Sequence, residues 1–235
     1  MIPGSAPPAG GGRAAGRIVR LLQLASPALP IGGYSYSSGL ESAVESGRVH
    51  DPATASEWID DVMTLVIGRF DAPLLAAALR ACEAGDHPAV VRLNAAALAA
   101  RETAELRLES EQMGYSLRQW IVQVPGGGAL PLDPSQPVAA TVAWAMAAWR
   151  LQLDAQDAIT GFLWSFVENQ VMVLIKTVPM GQIQAQRVLH LLGPRIDAVA
   201  ALALHLPGEC WSNAAPGLAI QSMLHETQYS RLFRS

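Results

Sequence analysis

Apolar residues recur along the chain at spacings of three and four, and strict two-residue alternation is scarce. That period predicts helices nearly everywhere. Gly16 to Ala25 forms a first helix with Ile18, Leu21, Leu22 and Leu24 on its apolar side, and Pro27, Pro30, Gly32 and Gly33 then enforce a loop. A short helix follows over Ser37 to Glu45. Asp51-Pro52 supplies a cap and a first-turn proline for a helix running to about Phe70. Asp71 is expected to cap the next helix, with Pro73 in its first turn, and Asp86 to cap another. Thr103 to Gln123 continues as a helix. Its Glu102, Glu105 and Glu109 share a face that reads as solvated, and Arg101 and Glu105 are spaced as an ion pair. Pro125 to Pro137 is the longest loop and divides the helices into two groups. Val138 to Leu151, Asp154 to Val178, Gln182 to Leu204 and Leu218 to His225 are the remaining helices, with breaks expected at Gly181 and at Gly193-Pro194. The class is all-α: a single-domain helical bundle of about eight to ten helices.

The last ten residues depart from this pattern. Glu226 to Ser235 hold two aromatics, two arginines, a leucine and several hydroxyls. Chain ends are usually polar and dispensable, whereas aromatics and arginine dominate binding hot spots. Such a tail either docks on its own domain or is given to a partner. At the other end, Pro3 to Gly16 is rich in Gly, Ala and Pro and carries no apolar signal core. The expected organisation is a disordered segment over 1–16, a helical domain over 17–225 and a tail over 226–235.

Composition narrows the function. Half the residues are hydrophobic (51%) and few are charged (15%), which suffices for one sizeable core. The formal charge of −4 and the lack of a basic patch argue against nucleic-acid binding. No run of about 18 uninterrupted apolar residues suggests a membrane span, so the cytoplasm is the expected compartment. Cys82 and Cys210 are far apart and make neither a disulfide framework nor a zinc knuckle.

Catalytic signatures are missing. Gly126 to Gly128 lacks the Gly-Lys-Ser/Thr that would make a phosphate loop. His225-Glu226 starts like a zinc-protease helix, but Tyr229 stands where the second histidine belongs, and the five histidines form no i,i+4 pair. Asp60-Asp61 lacks the third carboxylate of a diphosphate-binding motif. No cofactor and no metal site is expected.

Four segments stand out, in order: Leu21 to Glu41, which contains Pro30-Ile31-Gly32-Gly33-Tyr34-Ser35-Tyr36; Arg101 to Arg107; Glu168-Asn169-Gln170 running to Lys176 and Gln182; and the tail from His225. Together they resemble the urease accessory protein family UreF. Ala104 replaces an expected arginine, and Val173-Leu174 stands where small residues are common. The resemblance implies an all-α protein with no catalysis of its own that forms a homodimer. It implies binding to a UreD-type (also called UreH-type) accessory protein and recruitment of a UreG-type GTPase, so that nickel is delivered to the urease apoprotein. The implied role includes control of the GTPase, with no nucleic acid or membrane involved. Tyr34, Tyr36, Tyr229, Arg231 and Phe233 are the candidate partner-binding residues, and Glu168 and Lys176 are candidates for a structural or partner contact. The other readings of the residues are an all-α enzyme with an apolar ligand pocket and a helical scaffold unconnected with metal.

Overall fold

The structure, a computed structural model, describes residues 11–125 and 127–235, with side chains from residue 16 onward. Every regular element among these residues is a helix, with no strand. The helices are α1 (Gly11–Leu24), α2 (Leu40–Glu45), α3 (Pro52–Val62), α4 (Ala72–Ala84), α5 (His87–Ala99), α6 (Ala104–Gln123), α7 (Ala140–Arg150), α8 (Ala155–Thr177), α9 (Gln182–His205) and α10 (Pro216–Glu226). The expected all-α bundle is therefore what the chain adopts. Helix α1 takes in Gly11 to Gly16, where disorder was expected; residues 1–10 of that segment lie outside the described residues.

Helix α7 is the centre of the bundle. Thr141 to Ala148 are all buried, so this helix has no solvent face. It packs against α4 on one side and α6 on another, while α8 and α9 pack on each other. Close approach of α6 to the chain entering α7 depends on Gly114, where an added Cβ would lie 2.0 Å from the Val138 carbonyl oxygen. By length and composition Pro52–Ala84, α8 and α9 could each cross a membrane. In the fold, the apolar stretch of the first is 72% buried, that of α8 50% and that of α9 39%.

Three local expectations are corrected. Asp71 does not cap a helix. It has helical dihedrals, φ −65° and ψ −47°, inside one continuous rod in which Met63 to Asp71 form a π-helical stretch joining α3 to α4. The wider π turns pair Ala72 N–H with Ile67 O and lead into Pro73, which has no N–H to give. Asp71 is only 2% exposed; its carboxylate receives Arg101 and the Thr141 hydroxyl, the latter at 2.7 Å. Arg101 is thus committed to Asp71, not to Glu105. Third, α9 runs through Gly193-Pro194 unbroken. Buried Leu189, Leu192, Ile196 and Val199 flank the proline and continue one apolar stripe, and that packing overrides the local preference.

The other two expected caps form. Asp51 accepts Thr54 N–H at 2.8 Å in a capping box, and Asp86 accepts Ala89 N–H at 2.9 Å. The structure adds Thr103, which accepts Leu106 N–H at 3.2 Å at the start of α6.

Candidate partner-binding surface

The loop between α1 and α2 is shaped by its small residues. Gly32 (φ 74°), Ser38 (φ 50°) and Gly39 (φ 82°) are all left-handed, and a short 3-10 turn occupies Gly33 to Ser35. The reversal at Ser38-Gly39 starts α2 and places Glu41 in its first turn, where the helix dipole favours a carboxylate. Tyr34 lies half-buried at the loop's outer end. Its phenol is pushed up to about 12 by burial and by the nearby Glu168 carboxylate. Burial also raises the Glu168 pKa.

The tail docks on this loop. Arg234 N–H donates to Ser35 O at 2.8 Å, and Ser37 N–H donates to Ser235 O at 2.9 Å, a reciprocal main-chain pairing. The Ser37 hydroxyl also donates to Ser235 O. From the other side α8 supports the loop: Asn169 Nδ2 donates to Tyr36 O at 2.9 Å and Gln170 Nε2 to Ser37 O at 3.1 Å. Helix α6 supports both segments. Its Glu109 accepts the Ser38 hydroxyl at 2.9 Å and the Ser235 hydroxyl at 2.6 Å. Burial raises the Glu109 pKa, against the pull of these two hydroxyls and of Arg101.

Two of the sequence candidates lie inside this joint. Tyr36 is 4% exposed and donates its hydroxyl to Gln112; Phe233 is 6% exposed. Lys176, on the exposed side of α8, places its ammonium 5.2 Å from the Phe233 ring centroid, a cation–π contact. Others face solvent. Tyr229 is fully exposed, and Arg231 is partly exposed, donating to Glu105 at 2.7 Å. Leu232 is 68% exposed. On the adjoining α10, Ile220, Met223 and Leu224 are exposed at i, i+3 and i+4 and so share one face. A groove beside the tail is lined by Tyr36, Glu105, Gln112, Arg231, Phe233 and Arg234.

The carboxylates and imidazole that organise the joint, Glu41, Glu105, Glu109 and His225, are not legible as a group from spacing. Glu41 and His225 lie within the motif segments, and Glu105 and Glu109 within a face whose charge pattern reads as solvated.

A cavity of about 340 Å³ opens behind the loop, lined by Tyr34, Asp71, Arg101, Glu109, Trp144 and Phe162 among others. Asp71 and Arg101 neutralise one another there. Burial opposes charge on Arg101, but Asp71 more than compensates and raises its pKa. Among the described residues no three His, Cys, Asp or Glu side chains are grouped to hold a metal ion. Cys82 is buried, which raises its thiol to about 11, while Cys210 is exposed.

Fold and site together define an all-helical protein whose terminal tail is built into one continuous surface with its first loop. Residues 49–193 match the family model for UreF. The urease accessory protein UreF of Azoarcus sp. (strain BH72) is 50% identical over 227 residues, covering 93% of this chain and 95% of that protein. UreF of Dechloromonas aromatica (strain RCB) is 48% identical, covering 93% and 98%. UreF of Pseudomonas aeruginosa (strain LESB58) is also 48% identical, covering 91% and 97%. The chain belongs to the UreF family of urease accessory proteins.

Proposed function

We propose that this chain is a non-enzymatic adaptor in urease maturation, acting in the cytoplasm as a homodimer. It joins a UreD/UreH-type accessory protein to a UreG-type GTPase, and the assembly inserts nickel into the urease apoprotein in a GTP-dependent step. The observation that carries this reading is the docked tail, which holds exposed Tyr229, Arg231 and Leu232 on an ordered platform. A pre-ordered surface loses less entropy on binding. Tyr34 and Glu168 extend the same region on the loop and α8. Tyr36 and Phe233 contribute from beneath, as anchors.

Membership of an accessory-protein family favours the adaptor over the all-α enzyme, for which the cavity is the supporting feature. The test is capture of purified UreD-type and UreG-type partners by wild type, Tyr34→Ala and Arg231→Ala, with thermal melts alongside. Truncating an arginine or tyrosine hot spot costs about 2 kcal/mol or more, and about 1.4 kcal/mol is tenfold in affinity. Each variant is expected to melt near wild type, recruit the GTPase at least about tenfold more weakly and lower urease activation. Normal recruitment by Arg231→Ala would remove the tail from the partner surface. Turnover of GTP or urea by the pure chain would overturn the non-enzymatic reading.

A further inference from the structure

We infer that Glu41 and His225 form a buried clasp that positions the tail, so that neither touches a partner yet both govern how Arg231 is presented. This rests on the reading that the tail recruits a partner. Glu41 is 6% exposed and His225 is 0% exposed. A carboxylate so placed must be met by donors, and three converge on it. Leu232 N–H donates to Oε1 at 2.7 Å, Phe233 N–H donates to Oε2 at 3.0 Å, and His225 Nε2 faces Oε2 at 3.2 Å.

The other ring nitrogen, Nδ1, lies 2.6 Å from Glu105 Oε2, and Arg231 donates to Glu105 Oε1 at 2.7 Å. One continuous network therefore starts at the tail main chain, passes through Glu41, His225 and Glu105, and returns to the tail at Arg231. It joins α2, α6 and α10. The end of α10 is tied to α6 a second time, by Ala104 N–H donating to Glu226 at 3.2 Å.

Recognition through main-chain N–H groups sets the height and direction of the tail whatever its side chains do. The bond from Arg231 to Glu105 then sets the guanidinium. Side-chain recognition and tail placement can thus be separated by mutation. Arg231→Ala removes the recruiting group and leaves the grip on Leu232 and Phe233. Glu41→Gln does the reverse: an amide NH₂ now faces one of the N–H donors, while Arg231 remains. Leu232→Pro deletes one of the clasped N–H groups without altering any buried side chain, since Leu232 is 68% exposed.

The experiment measures amide hydrogen exchange at Phe233, and at Leu232 where an N–H remains, in the purified chain. GTPase recruitment by each variant is measured in parallel. Wild type and Arg231→Ala are expected to protect these amides. Glu41→Gln, His225→Gln and Leu232→Pro are each expected to speed their exchange by about tenfold or more, with α7 amides still protected. All four variants are expected to recruit poorly. Unchanged exchange in both Glu41→Gln and Leu232→Pro would overturn the clasp while leaving the recruitment reading intact. Faster exchange with undiminished recruitment would instead overturn the tail's recruiting role, and the positioning role with it.

Discussion

Gly114→Ala is the most demanding test of the packing that supports the tail. Gly114 lies midway along α6, on the helix that carries Glu105 and Glu109. A Cβ there would lie 2.0 Å from Val138 O and 2.9 Å from the carbonyl carbons of both Val138 and Ala139. Even a close carbon–oxygen contact is about 3.3 Å, so α6 and the chain entering α7 must part by more than about 1 Å. All three obstructing atoms are main chain and cannot rotate away. Alanine gains about 1 kcal/mol over glycine in a helix interior, which the clash must exceed. Overpacking typically costs about 1–3 kcal/mol, and more when the backbone itself must move. Parting the two segments also strains Ala140 N–H to Ser110 at 3.2 Å and Arg118 to Gln136 O at 2.9 Å, each worth about 1 kcal/mol. The expected net loss is roughly 2–4 kcal/mol, a fall in Tm on the order of 10 °C. Gly16→Ala in α1 is the control, because its Cβ would meet nothing nearer than Arg20 Nη1 at 3.8 Å. It should melt at or slightly above wild type. Circular dichroism melts of the three proteins decide the matter. A Gly114→Ala protein as stable as wild type would refute the α6–α7 approach.

Two further outcomes follow from the buried charges. Asp71→Asn leaves the Arg101 guanidinium without its counter-charge and should cost about 3–5 kcal/mol in urea unfolding, whereas an exposed pair would cost about 1 kcal/mol or less. Glu109 has a raised pKa in the fold, so the native state binds more protons than the unfolded chain. Its contribution is therefore complete below the ordinary glutamate value and is lost as pH rises through the folded value. Comparing Tm between about pH 4 and about pH 8, Glu109→Gln should fall less steeply with rising pH than wild type; parallel curves would refute the assignment.

The helical class and most element positions were legible because apolar period and capping residues are local signals. Asp51 and Asp86 perform the capping that their sequence contexts announce. Asp71 before a proline carries the same local signature, yet its carboxylate is taken by Arg101 and Thr141, 30 and 70 positions away. Glu105 and Glu109 misled for the same reason. A charged helical face looks solvated until the tail, 126 residues on, is folded over it. Tyr36 and Phe233 were recognisable as important residue types, but only the tertiary structure places them under the surface instead of on it. Gly193-Pro194 is the opposite case, a strong local break overruled by a buried stripe on either side.

The pairing of Ser37 with Ser235 spans 198 positions of sequence and has a consequence for how the surface comes into being. Ordering the tail has an entropic cost that its contacts must offset, and those contacts come from the loop, α2 and α6. The tail therefore settles only where these three segments are already in place. Because synthesis proceeds toward the C-terminus, the residues that complete this surface are also made long after those that receive them. Until then Glu41, Glu105 and Glu109 lack their tail partners, and Tyr229 and Arg231 have no fixed position. Docking of the tail is thus a late step, one that a nascent or half-folded copy cannot complete.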